Sequence, residues 1–125
     1  MDLLIMGLSG AIEHVPIDRT YAIRIDSDLS PFDAKFALQQ SGLYTIVKYS
    51  FDDRTTYFGY GKLFDEETAN QLLFDFKERG LNHHTLLVHC SRGKNRSPAV
   101  AIALNDIFGL GYEGNELKRE YPEMN

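Results

Sequence analysis

Residues 85–109 read TLLVHCSRGKNRSPAVAIALNDIFG, and this stretch decides the fold. Its opening, Thr85–His89, is a short aliphatic run without polar alternation, which is typical of an interior strand covered on both faces. Residues 97–108 carry apolar side chains at helical spacing, and Gly109 is well suited to end a helix. The stretch therefore predicts a buried strand, a short polar loop and a helix that is central to the domain.

The rest of the chain alternates predicted strands with predicted helices. Helical periodicity is clearest in residues 65–79, and Gly80 can end that helix in the left-handed conformation. In the later helix we expect one buried face, formed by Val100, Ala103, Leu104 and Ile107. Further strands are predicted at residues 3–7, 21–25 and 43–51, and short helices near residues 9–14, 32–40 and 115–121. This order predicts one α/β domain spanning residues 1–125, in which helices flank a mainly parallel central sheet.

Composition excludes several classes of protein. A chain of 125 residues with 43% hydrophobic and 25% charged residues is typical of one soluble globular domain. The net charge of -5 argues against broad binding to nucleic acid or to anionic membranes. Four of the 13 basic residues nevertheless lie in residues 79–105, which contain no Asp or Glu. A small local anion site is therefore compatible with the acidic chain.

The amino-terminal sequence argues against export and membrane insertion. Asp2 stands where a signal peptide needs positive charge, and the apolar run of residues 3–6 is too short to span a bilayer. We therefore expect a cytoplasmic protein without membrane insertion. The sequence does not indicate an oligomeric state.

The polar loop between the predicted strand and helix has the features of an anion site. Cys90 ends the strand, and Arg96 follows six residues later at the start of the helix. A loop wound this tightly exposes successive backbone N–H groups inward and adds a helix amino end, which favours a tetrahedral oxyanion. Arg96 can hold two oxygens with its guanidinium, and Gly93 lets the backbone turn. The expected substrate-binding residues are Ser91, Arg92, Gly93, Lys94, Asn95 and Arg96.

Cys90 is the only cysteine of the chain, so it is either a buried apolar residue or a nucleophile. We expect the thiol pKa to be lowered to about 3.5–7.5 by the loop N–H groups, the start of the helix and Arg96. His89 is a further candidate for this effect. The thiolate could then attack phosphorus while the loop stabilises the equatorial oxygens. The leaving oxygen needs a proton, and Asp52 and Asp53 follow a predicted strand at the edge where such sheets bind ligands.

The same residues match the pattern of a known family. HCSRGKNRS, at residues 89–97, resembles the HCxxGxxRS signature of the cysteine-dependent protein tyrosine and dual-specificity phosphatases. YSFDD and LFDEETANQLLFDF, at residues 49–53 and 63–76, are similar to compact dual-specificity-like members, particularly small microbial or viral ones. The resemblance covers about residues 43–110. It implies a phosphatase-type phosphate-binding loop between a strand and a central helix.

The resemblance also implies roles for four residues around the loop. Cys90 would be the nucleophile and Arg96 the phosphate clamp. His89 and Ser97 would tune the thiolate and the leaving thiol. The implied enzyme is a phosphoric monoester hydrolase that cleaves phosphotyrosine, with phosphoserine and phosphothreonine as further substrates, and that uses no metal or cofactor. Its expected partner is a phosphorylated protein or peptide.

The general acid is expected to be Asp53 or Asp52. We favour Asp53 because, in similar sequences, the second acidic residue of such a pair holds this position. The alternative is a turn role, since Asp is common where a strand breaks into a loop.

Two other functions remain open at this point. Arg92 and Lys94 make the loop basic, and Lys between Gly and Arg also resembles the inositol-phospholipid phosphatases. The substrate could then be a phosphoinositide or an RNA 5′ end, although the acidic composition argues against a nucleic-acid partner. A phosphate-binding module without catalysis is the remaining alternative. His83 and His84 are expected to face solvent, and we predict no metal site from them.

Overall fold

A computed structural model describes residues 1–27, 31–51 and 66–122 of the chain. Within these ranges the strands are β1 (Asp2–Met6), β2 (Thr20–Asp26), β3 (Tyr44–Ser50) and β4 (Thr85–His89). The α-helices are α1 (Leu8–Glu13), α2 (Glu66–Asp75), α3 (Arg96–Phe108) and α4 (Gly114–Glu120). A 3-10 turn at Ala34–Phe36 and a π-type turn at Phe76–Gly80 complete the described elements.

The strands form one parallel sheet in the order β1-β4-β2-β3. Strand β4 lies inside the sheet and is buried along its whole length, as its unbroken aliphatic run predicts. Because all strands run in the same direction, their carboxyl ends lie at one edge of the sheet. The residues at these ends are Met6, Asp26, Ser50 and His89. The predicted α/β fold with a parallel sheet and flanking helices is confirmed.

The two faces of the sheet carry different side chains. The larger core lies on the face covered by α2 and α3, and it includes Tyr21, Ile23, Ile25, Leu86, Val88, Leu72, Phe76, Ala101 and Leu104. A smaller cluster on the other face consists of Ala11, Ala22, Leu38 and Leu87. Since side chains alternate along a strand, Arg24 and His89 share this second face. Cys90, in contrast, belongs to the larger core.

Helix α3 is rotated relative to the prediction. Ala103 is exposed and Ile107 is 58% exposed, so the expected face is wrong at these two positions. The buried residues of α3 are Ser97, Pro98, Val100, Ala101, Ile102, Leu104 and Asn105. The buried face of α3 includes a polar contact as well as apolar packing, because the fully buried Ser97 lies 3.2 Å from the thiol of Cys90. Gly109 ends α3 as predicted, and it does so in the left-handed conformation, with φ 64°.

The helix predicted for residues 65–79 ends differently from the prediction. Its α-helical part stops at Asp75, and Phe76–Gly80 continues as a π-type turn. Gly80 is not left-handed, so its predicted role as a helix stop is wrong. It is small for another reason: an added Cβ would lie 2.9 Å from Cε1 of the buried Phe76 ring.

His83 is buried, with 8% of its surface exposed, so the expectation that it faces solvent is wrong. Its Nδ1 lies 3.2 Å from the carbonyl oxygen of Gly80, and its Nε2 lies 2.9 Å from Oγ1 of Thr45. Burial lowers the pKa of His83. The ring therefore links the turn before β4 to strand β3. His84 is exposed, as expected.

The remaining short elements agree with the prediction in part. Helices α1 and α4 lie close to the predicted bounds, whereas residues 32–40 form only the 3-10 turn Ala34–Phe36. None of the helices in the described ranges is long and apolar enough to cross a membrane.

Candidate active site

Residues 90–95 connect β4 to α3 at the carboxyl edge of the sheet, and Arg96 is the first residue of α3. This segment, called loop 90–96 below, begins at Cys90, whose surface is 2% exposed. The backbone N–H of Leu8 donates to the carbonyl oxygen of Ser91 at 3.0 Å, and that of Cys90 donates to Met6 at 3.4 Å. The loop is therefore held against the junction between β1 and α1.

Gly93 makes this close approach possible. Its φ is 74°, a conformation that side chains other than glycine rarely adopt. An added Cβ would lie 2.6 Å from the backbone nitrogen of Gly7 and 2.7 Å from the carbonyl carbon of Met6. The position therefore needs glycine for its backbone conformation and for the space it leaves to the neighbouring chain.

Hydrogen-bond donors surround the thiol of Cys90. The Gly93 N–H donates to Sγ at 3.2 Å, and Oγ of Ser97 lies 3.2 Å from the same atom. Burial raises the pKa of Cys90, but the Ser97 hydroxyl, the N–H groups of Ser97 and Gly93, and the charge of Arg96 outweigh it. The net result is a pKa below the ordinary value, which favours a thiolate.

Ser97 should have a measurable effect on this thiolate. A hydrogen bond to a charged group contributes about 1.5–3 kcal/mol, so Ser97→Ala should raise the apparent pKa of Cys90 by about one to two pH units. The pH dependence of the rate of alkylation by iodoacetamide measures this pKa. The rate is followed from about pH 4 to about pH 10, the range over which protein thiols titrate. Ser9→Ala, at an exposed position of α1, is the matched control and should leave the profile unchanged. An unchanged profile in Ser97→Ala would contradict the assigned contact.

Arg96 connects the loop to the end of β3. Its Nη1 donates to the carbonyl oxygen of Phe51 at 3.0 Å. Its Nε is buried and has no hydrogen-bond partner among the described residues. A buried guanidinium N–H without a partner is costly, which is the expected state of a donor whose acceptor is a bound oxyanion.

His89 is fully buried and is held by a second arginine. Its Nε2 accepts a hydrogen bond from Nε of Arg24 at 2.9 Å, and its Nδ1 lies 3.4 Å from the carbonyl oxygen of Cys90. Burial and the neighbouring charge of Arg24 lower the pKa of His89 to about 4. The ring is therefore neutral at pH 7, and it does not supply positive charge to the thiolate. Any influence on Cys90 has to act through the backbone.

The neutral His89 should make the protein less stable in acid. Its pKa is about 6.5 when unfolded and about 4 when folded, so the unfolded chain binds more protons as the pH falls between these values. We expect the free energy of unfolding to fall by about 3 kcal/mol from this residue between pH 6.5 and pH 4. The buried His83 contributes in the same direction.

Urea denaturation at a series of pH values tests this expectation. His89→Gln, which does not titrate, should lose the part of the pH dependence that comes from His89, about 3 kcal/mol, whereas the exposed control His84→Gln should keep it. The same pH dependence in His89→Gln and in the wild type would show that His89 is not the group responsible.

The structure places the other predicted loop residues in two settings. Ser91, Arg92 and Lys94 are exposed at the surface of the loop, and Asn95 is partly buried at the start of α3. The predicted general acids, Asp52 and Asp53, lie outside the described residues.

Asp26 and Arg24 are two buried charged residues near the site that the sequence analysis missed. The carboxylate of Asp26 accepts from Oγ of Ser50, from the N–H of Phe32 at 2.9 Å, and lies 3.6 Å from Nζ of Lys48. These contacts commit Asp26 to holding the ends of β2 and β3 together. The available signal was the pair of charges inside the apolar strand YAIRID, residues 21–26, where a purely structural strand needs none.

Among residues 1–27, 31–51 and 66–122, no group of three or more His, Cys, Asp or Glu side chains could hold a metal ion. Comparisons with models of protein families, with curated proteins and with solved structures found no match to this chain. The geometry of loop 90–96 and its neighbours is therefore the basis for assigning a function.

Proposed function

We propose that this protein hydrolyses phosphate monoesters through a cysteinyl-phosphate intermediate, with phosphotyrosine in proteins or peptides as its main substrate. One observation carries the proposal. The Gly93 N–H of the loop donates to Sγ of Cys90, and Oγ of Ser97 lies 3.2 Å from the same atom, while the buried Nε of Arg96 has no hydrogen-bond partner among the described residues. These groups favour a thiolate and provide donors for an oxyanion next to it.

The reaction needs two displacements at phosphorus. The Cys90 thiolate forms an S–P bond while the ester P–O bond breaks, and Arg96 and the loop N–H groups stabilise the phosphoryl oxygens. Asp53 or Asp52 donates the proton that the leaving oxygen takes up. Water then attacks phosphorus and gives a proton to the same carboxylate, while the S–P bond breaks and the thiolate is restored. Ser97 stabilises this leaving thiolate by its hydrogen bond to Sγ.

The contact between Arg96 and Phe51 supports an acid from the end of β3. Phe51 accepts a hydrogen bond from the guanidinium, and Asp52 and Asp53 follow it directly in the chain. An acid on this segment is thus joined by one or two peptide units to Phe51, whose carbonyl oxygen contacts Arg96.

The cytoplasm is the compartment we propose, because a lone reactive thiol stays reduced there.

A second candidate function draws on the surface of the loop. Arg92 and Lys94 are both exposed residues of loop 90–96, and residues 79–105 contain no Asp or Glu. Additional phosphate groups on a phosphoinositide or on an RNA 5′ end would interact favourably with them. The overall charge of -5 opposes an extended nucleic-acid partner, so this function ranks second.

A substrate panel tests the proposal. Under reducing conditions, the wild-type protein is assayed on an activated aryl phosphate, on phosphotyrosine, phosphoserine and phosphothreonine peptides, on phosphoinositide vesicles and on RNA with a 5′-triphosphate. We expect turnover of the aryl phosphate and the phosphotyrosine peptide. Exclusive turnover of phosphoinositide or RNA would transfer the assignment to the second function. Phosphate binding without any turnover would identify a binding module.

A further inference from the structure

The carbonyl groups of Ser91 and Arg92, in loop 90–96, contact residues outside the loop. The carbonyl oxygen of Ser91 accepts from the N–H of Leu8 at 3.0 Å. The carbonyl of Arg92 packs against Gly7, where an added Cβ would lie 2.9 Å from its oxygen. Both contacts come from the junction between β1 and α1.

The orientation of a carbonyl fixes the orientation of the next N–H. In a planar trans peptide the N–H points opposite to the C=O, so a carbonyl held outward leaves the following N–H directed inward. Gly93 shows this result, because its N–H follows the Arg92 carbonyl and donates to Sγ of Cys90. By the same rule, the Ser91 N–H is oriented by whatever holds the carbonyl of Cys90. Among the described residues, Nδ1 of His89 lies 3.4 Å from that carbonyl oxygen.

Arg24 determines which nitrogen of His89 carries the proton. The guanidinium is always protonated, so its Nε can only donate, and Nε2 of His89 must accept. A neutral ring whose Nε2 accepts has its proton on Nδ1, which can then donate to the Cys90 carbonyl. Arg24 also donates from Nη2 to the carbonyl of Phe36 and lies 5.1 Å from the centre of the Phe32 ring.

Phe32 completes the enclosure of the histidine. Its ring stacks on the imidazole of His89 with centroids 5.4 Å apart and an angle of 22° between the planes. The buried Arg24 and His89 and the partly buried Phe32 thus form a stack next to the start of loop 90–96, since His89 directly precedes Cys90. A buried arginine is a costly way to fill space, since an apolar side chain would pack there without the loss of hydration.

We propose that Arg24 is a positioning residue of the active site, which holds His89 in the Nδ1-protonated form and thereby directs the Ser91 N–H toward the bound phosphate. The inference rests on the proposed function, because it gives this N–H a phosphoryl oxygen as its acceptor. Arg24 itself touches neither the thiol nor the substrate. Its effect on loop 90–96 passes through the imidazole and one peptide group.

The experiment uses the full chain and inorganic phosphate as the probe. Affinity for phosphate is measured by calorimetry, and the pH profile of Cys90 alkylation is measured in parallel, so neither readout requires turnover. The variants are Arg24→Met, His89→Ala, the double variant of these two, and Arg24→Met combined with His89→Asn. Arg119→Met, the same change at an exposed position of α4, is the matched control.

The expected pattern separates positioning from simple packing. Loss of one oriented N–H should weaken phosphate binding about tenfold in Arg24→Met, and the double variant should bind no worse than His89→Ala. His89→Asn should restore binding in the Arg24→Met background, because its amide N–H₂ can donate to the Cys90 carbonyl without a partner to fix a tautomer. Arg119→Met should bind phosphate like the wild type.

Several results would overturn the inference. Wild-type affinity in folded Arg24→Met protein, with only a lower melting temperature, would leave Arg24 a purely structural residue. Full additivity of Arg24→Met and His89→Ala would show that Arg24 does not act through His89. If Arg24→Met does not fold, ¹⁵N NMR of the wild-type histidines decides the question, since a proton on Nε2 of His89 is incompatible with the proposed contact.

The inference and the proposed function can fail separately. A wild-type protein that binds phosphate but hydrolyses no ester would refute the proposed hydrolysis and still report on Arg24. A wild-type protein that binds no phosphate would overturn both.

Discussion

Cys90→Ser should abolish turnover and leave phosphate binding intact. The serine hydroxyl has a far higher pKa than the thiol, so the Gly93 and Ser97 contacts that favour a thiolate cannot produce an alkoxide near pH 7. We expect kcat on a phosphotyrosine peptide to fall by about 10⁴-fold or more, because the S–P intermediate cannot form. Steady-state kinetics measure the loss, and calorimetry with inorganic phosphate measures the binding.

The contrast between the two measurements is what identifies a nucleophile. Oxygen and sulfur are similar in size, so the loop should keep its shape and the melting temperature should stay close to that of the wild type. A variant that keeps a substantial fraction of the wild-type kcat would remove Cys90 from the mechanism. Loss of both turnover and phosphate binding would show instead that the substitution had disrupted loop 90–96.

Asp53→Ala should give the second-largest loss, about 10² to 10⁴ in kcat, which is the usual contribution of a general acid. The loss should depend on the leaving group. The tyrosine oxygen of a phosphotyrosine peptide needs a proton as it leaves, whereas the more acidic aryl oxide of an activated aryl phosphate leaves more readily without one. The loss in kcat should therefore be larger on the peptide. Steady-state kinetics on both substrates measure the difference between them.

Asp52→Ala is the matched control for this prediction, because it removes a carboxylate of the same kind from the preceding residue. It should keep kcat near the wild-type value on both substrates. Comparable activity of Asp53→Ala and the wild type, together with a large loss in Asp52→Ala, would assign the acid to Asp52. Small losses in both variants would mean that the proton comes from another part of the chain.

The strand, the loop and the helix at residues 85–109 could be predicted because their signals are local. Strand β4 has the predicted bounds, Thr85–His89, and Gly109 ends α3 as predicted. The position of loop 90–96 at the carboxyl edge follows from the parallel sheet alone. The same local signals indicated Cys90 and Ser97, whose sulfur and oxygen lie 3.2 Å apart.

The features that were missed depend on contacts between distant parts of the chain. Periodicity identifies the apolar residues of α3 but not the rotation of the helix, because the buried face also includes the polar contact between Ser97 and Cys90. The burial of His83 requires an acceptor and a hydroxyl from separate elements, one of them Thr45 in strand β3. The pairing of Arg24 with His89 joins residues 65 positions apart, and no local pattern records it.

The pairing of β1 with β4 has a consequence for how the protein folds. Asp2 pairs with Thr85 and Met6 pairs with His89. The first residues of the chain therefore pair with a strand that lies more than 80 residues later in the sequence. Contacts so distant in sequence form slowly, since a long loop has to close before they stabilise anything. Loop 90–96 in turn depends on Gly7 and Leu8 for its shape. We therefore expect the surroundings that lower the pKa of Cys90 to form late in folding.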